Sequence, residues 1–156
     1  MRTGLDERFT ARPSRLSPGR QSVDHDGQRL NISVLFTSES GTAAALETAA
    51  SLANRLGGRI TVVVPEVVSY AVPLNQPPVQ REWNEQRLRK LASRTAVETV
   101  VRFYLCRDRD ETLARVLRPH SLVVIGAKRR WWRTSEDRLA RRLRRLGHEV
   151  ILTETE

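Results

Sequence analysis

Two stretches of this chain carry residues that could hold an anion. The first is Ser38-Glu39-Ser40-Gly41-Thr42, which follows an apolar run ending at Thr37 and precedes a small-residue segment closing on Gly57 and Gly58. Hydroxyls of Ser38, Ser40 and Thr42, with backbone amides near Gly41, are the groups by which loops after a strand wrap a phosphate. The second runs from Gly126 through Lys128, Arg129, Arg130 and Arg133 to Thr134 and Ser135. Guanidinium groups bind phosphate in bidentate fashion, and a hydroxyl at a helix start leaves free amides beside it. Both stretches also have a plainer use. Ser40 or Thr42 in the first, and Thr134 or Ser135 in the second, could simply cap a helix, with Glu39 favourably placed near a helix amino end. Trp131 and Trp132 sit within the basic stretch. Aromatics among cations stack single-stranded nucleic acid, although paired tryptophans also serve packing and interfaces.

Whether these stretches meet depends on the elements around them. From Leu30 the sequence alternates strand-like and helix-like segments. "LNISVLFT", "RITVVVP", "ETVVRFYLC", "HSLVVIGA" and "EVILTE" are β-branched or aliphatic runs, as expected of strands covered on both faces. Between them, Leu46, Ala49, Ala50, Ala53 and Leu56 recur at helical spacing, as do Trp83, Leu88 and Leu91. "DRDETLARVLRP" opens on acids suited to a helix dipole, and "SEDRLARRLRRLGH" turns Leu139, Leu143 and Leu146 inward. "EVVSYAVPLNQPP" is too rich in proline for regular structure. The alternation predicts an α/β doubly wound five-stranded parallel sheet, Rossmann-like, in order 3-2-1-4-5, with helices on both faces. Strands 1 and 4 would be central neighbours. Thr37 to Thr42 and Gly126 to Ser135 would then face one crevice beyond the carboxyl ends of the strands.

At 156 residues the chain can bury roughly two thirds of its unfolded surface as one domain, spanning 30–156. Residues 1–29 have scattered charge and no apolar period, and read as a flexible tail. The net charge is +9, of which +7 falls within residues 128–145. Such a basic face suits a phosphate ligand, nucleic acid, an acidic protein or an anionic membrane surface, unless it is simply a solvated helix. A single cysteine, Cys106, excludes an internal disulfide, and no Cys/His spacing suggests zinc. With no apolar run near the roughly 18 residues that span a bilayer, a soluble cytoplasmic protein is expected. Catalysis finds little support. Cys106 ends a strand, His25 lies in the tail, and His120 and His148 precede strands without a partner at triad or metal spacing.

"ISVLFTSESGTAAALETAASLANRLGGRITVVVP" and "SLVVIGAKRRWW" followed by a helix and "HEVILTE" resemble the universal stress protein (UspA-like) domain from Leu30 to Glu154. The Arg/Lys-rich stretch with Trp after strand 4 resembles the variant found in the sensor kinase of bacterial potassium uptake. The resemblance implies a stress-response module that binds a nucleotide and pairs as a homodimer through its last strand. It also implies where this sequence departs. In ATP-binding members an acid ends strand 1 and G-x2-G-x9-G-S/T follows strand 4. The acid's position holds Thr37, Gly126 matches the first glycine, and the remaining positions hold Arg129, Leu139 and Ala140. Side chains of that size obstruct the close approach of amides to phosphate. The motif is degenerate, and no ATP hydrolysis is expected.

The resulting expectation is a non-enzymatic regulatory module. It would hold an adenine nucleotide or cyclic dinucleotide among Thr37, Ser38, Ser40, Gly41, Thr42, Gly126, Lys128, Arg129, Arg130, Thr134 and Ser135. The alternative is a basic module for nucleic acid or an acidic protein surface. A third reading, from the likeness of "SESGTA" to the phosphate loop of flavodoxin-like domains, is an FMN protein.

Overall fold

In the computed structural model, five parallel strands form one sheet: β1 (Asn31–Leu35), β2 (Arg59–Val67), β3 (Thr99–Cys106), β4 (Leu122–Lys128) and β5 (Glu149–Thr155). Their order is β3-β2-β1-β4-β5, as the alternation predicts. The structure describes residues 29–71, 73, 80–128 and 134–155. The expected tail up to residue 28, the stretch Arg129 to Arg133 with its two tryptophans, and residues 72 and 74–78 of the proline-rich segment lie outside the described residues.

Alternation along the central strands explains why helices cover both faces. Side chains of successive strand residues point to opposite sides. Val34, Val62, Val64 and Val124 join α1 (Glu39–Leu56) and α2 (Gln80–Ala92) through Ala45, Leu46, Ala49, Ala53 and Leu88. Leu35, Val63, Val123 and Ile125 join α3 (Arg109–Val116) and α4 (Ser135–Arg145) through Leu113, Leu139, Ala140 and Leu143. α1 ends at Gly57, whose φ of 67° is the left-handed conformation that glycine adopts freely.

Several expectations change. Strand 2 runs past "RITVVVP" through Glu66 and Val67, into the segment read as irregular. Its register gives the reason: β1 pairs with β2 only as far as Leu35 and Val63, whereas β3 pairs with β2 to Val67. Beyond Val63 the β2 strand has one strand neighbour, and Pro65 is tolerated on such an edge. The ends of the helical patterns are also less buried than their spacing implies. Leu56, the last residue of α1, Trp83 in the first turn of α2 and Leu146, the cap after α4, are 59%, 60% and 51% exposed.

No helix among the described residues is long and apolar enough to cross a membrane. No group of three or more metal-ligating side chains occurs among them either.

Candidate functional site

The amino end of α1 packs directly on β4. Gly41 and Gly126 meet backbone to backbone, so closely that a Cβ on Gly126 would lie 1.8 Å from the Gly41 carbonyl oxygen. Thr37 fastens the same seam by donating its hydroxyl to the Gly126 carbonyl at 2.7 Å. Its own N–H reaches the Oγ1 of Thr42, which is fully buried, at 3.4 Å. These four expected site residues are therefore brought together, and they contact one another.

Caps account for two more. The cap of α1 is Ser38 rather than Ser40 or Thr42: the helix begins at Glu39, and the extended residue before it accepts the Gly41 N–H at 3.1 Å. Ser40 is exposed, with its hydroxyl 3.5 Å from that of Ser38. At α4 the cap is Thr134, in a reciprocal capping box with Asp137. Ser135 is the first helical residue and, like Lys128, is exposed. Arg129 and Arg130 lie outside the described residues.

An opening exists instead on the other side of β1. Because β1 stops at Leu35 while β2 continues, Val64, Pro65 and Glu66 extend past β1 and form one wall of a pocket. Phe36 and Glu39 contribute the base, and α2 supplies Asn84, Arg87, Leu88 and Leu91. Its volume is about 200 Å³. Pockets that enclose whole drug-sized ligands run to roughly 300–1,000 Å³, so this one matches a ring system with the rest of the ligand outside. Its interior is apolar and its rim is charged.

At the rim, Arg87 forms an ion pair with Glu39, tying α2 to the first residue of α1. Trp83, one turn before Arg87, stacks on the guanidinium at 4.5 Å from the ring centroid. The segment after β2 is fastened by Arg107, which donates to the carbonyls of Val68 and Ser69 and stacks under Tyr70. Sequence reasoning missed Asn84, Arg87 and the β2 extension. Only Trp83 and Leu88 carried a signal there, as members of a helical period.

At the opposite, amino end of the strands lies a second polar cluster. His148 is buried and its Nδ1 accepts the Ser121 N–H at 3.3 Å, with the Ser121 hydroxyl 3.1 Å away. Through space, Ser121 is thus the partner that sequence spacing did not reveal. Burial, and secondarily the charge of His120, hold the His148 imidazole below its ordinary value of 6.5. Cys106 is buried at the end of β3, as expected of a packed thiol.

No protein-family model matches the sequence, and no curated protein matches it. Solved structures do. A universal stress protein family member from Burkholderia pseudomallei superposes with a TM-score of 0.55 at 22% identity, over 78% of this chain and 93% of that one. A universal stress protein in complex with cAMP gives 0.54 at 14% identity, over 81% and 98%. The universal stress protein from Archaeoglobus fulgidus in complex with dAMP gives 0.55 at 15% identity, over 80% and 97%. At such identities the likeness is one of architecture, and the chain has the fold of the universal stress protein structures.

Proposed function

We propose that this domain is a non-catalytic regulatory module that binds an adenine nucleotide, with the base in the pocket between the β2 extension and α2. The observation that carries this reading is the pocket itself. It lies beyond the carboxyl end of β1 and beside the last residues of β2, at the end of the sheet where ligands of doubly wound sheets bind, and it has an apolar interior with a few polar groups at its rim. The cAMP and dAMP complexes of proteins with this fold are consistent with a ligand of that class. A volume of about 200 Å³ favours one base over the two of a cyclic dinucleotide and over the three fused rings of FMN.

Titration calorimetry of the full chain with adenosine and AMP, alongside an Asn84→Trp variant, tests the reading. Asn84 is exposed at the rim, so the larger side chain fills the mouth without entering the core. Saturable binding that survives high salt and is lost in Asn84→Trp is expected. Undiminished binding in the variant would move the ligand elsewhere.

The basic-module reading keeps one specific support. On α4, Arg138 and Arg145 are exposed, and neither makes an ion pair among the described residues. Oligonucleotide binding that falls steeply with salt, and that Arg138→Gln with Arg145→Gln weakens, would favour it. Pairing of two copies through β5 is part of the proposal as well. β5 is an edge strand with β4 as its one strand neighbour, and an unpaired edge is a template for another strand. Sedimentation equilibrium should give a dimer, and a monomer at micromolar concentration would remove this part.

A further inference from the structure

Resting on that reading, we infer that the pocket selects a nucleotide with a single phosphate, and that Arg87 receives this phosphate by leaving its ion pair with Glu39. Among the described lining residues, the rim carries one guanidinium, Arg87, and two carboxylates, Glu39 and Glu66. One phosphate can be matched by the fork of the guanidinium. A second or third would lie near the displaced Glu39 carboxylate, without a cation of its own among the described lining residues.

The exchange is easy in this geometry. The Arg87 and Glu39 side chains are 47% and 64% exposed, and ion pairs so exposed to water contribute little to stability. A phosphate offers the same guanidinium two charge-assisted hydrogen bonds. The Trp83 ring, 4.5 Å from the guanidinium carbon, gives Arg87 a second contact at the rim that does not depend on Glu39.

Across β1, the described groups of the seam are already engaged with one another. There the Gly41 and Gly126 backbones touch, Thr37 spends its hydroxyl on the Gly126 carbonyl, and Ser38 spends its own on the Gly41 amide. These groups are turned toward each other, whereas Arg87 on the α2 side is held only by an exposed ion pair and its Trp83 contact.

The test is calorimetry of the full chain and of Arg87→Gln and Glu39→Gln, each with adenosine, AMP and ATP. In the wild type, AMP should bind about tenfold tighter than either adenosine or ATP, a difference that calorimetry reads directly. Arg87→Gln should bring AMP down to the affinity that adenosine shows in the same variant. Glu39→Gln should tighten AMP several-fold, because it removes the competitor for Arg87. Opposite effects from two neighbouring substitutions separate this role from a folding defect. The inference is overturned if ATP matches AMP, if the preference for AMP survives Arg87→Gln, or if Glu39→Gln weakens AMP. Adenosine binding in those cases leaves the pocket reading standing, whereas no binding of any of the three removes both.

Discussion

The α1–β4 seam and the β2–α2 mouth lie at the same end of the sheet, on either side of β1, yet the chain uses them in opposite ways. At the seam, glycines allow two backbones to touch, and the hydroxyls around them satisfy local groups. At the mouth, a strand that outruns its neighbour leaves a gap that side chains line without filling. Glycine beside a strand end can serve a ligand or serve packing. What decides is whether the freed backbone faces open space or another backbone.

The largest effect should come from closing the seam further. In Gly126→Ala the new methyl group would collide with the Gly41 backbone, where neither partner is the flexible end of a side chain. Overpacking costs roughly 1–3 kcal/mol where neighbours can shift, so a loss of at least about 3 kcal/mol is expected here. Urea unfolding measures it, and a loss under about 1 kcal/mol would mean that the seam is loose enough to open for a ligand.

A pH effect distant from both regions provides an internal control. The His148 imidazole is held below its ordinary value, so the folded state favours its neutral form. That contribution to stability is complete above pH 6.5 and is lost as pH falls through the lowered value, because the unfolded chain takes up the proton first. The melting temperature should fall below pH 6.5, and His148→Gln should flatten that slope without changing nucleotide affinity. An unchanged slope in the variant would assign the acid sensitivity to other groups.

Thr134→Ala sharpens the comparison from the seam side. Loss of its capping box should cost about 1 kcal/mol by thermal unfolding and leave AMP binding as it was. A drop in affinity larger than the stability loss would return the ligand to the start of α4. Smallest of all should be the stability change in Glu39→Gln, under about 1 kcal/mol, since its ion pair is exposed. In that variant a small stability change beside a clear binding change is what distinguishes the mouth from the seam.

Much of the fold was legible in the sequence because the signals are local. β-branched runs, helical periods, the Gly57 stop and the acids opening α3 each report on their own neighbourhood, and alternation turns them into an order of strands. The site was legible only in outline. "SESGTA" announces a helix start, but local signals do not show that Gly41 will face Gly126 across 85 residues of chain. The mouth was invisible for a related reason. It depends on β1 ending before β2, a difference in pairing length, and on α2 bringing Arg87 to Glu39 from far along the chain. The sequence reading ended strand 2 at Pro65 because Pro73, Pro77 and Pro78 follow, whereas the strand runs on to Val67 beside β3.

The most direct test of the account is a backbone amide NMR titration of the labelled full chain with AMP. The account predicts saturable shift changes at Phe36, Glu39, Val64, Glu66, Asn84 and Arg87, which line the mouth, with little change at Thr134 and Ser135. Changes concentrated from Gly126 to Ser135, with the mouth unmoved, would contradict it and place the ligand at the seam.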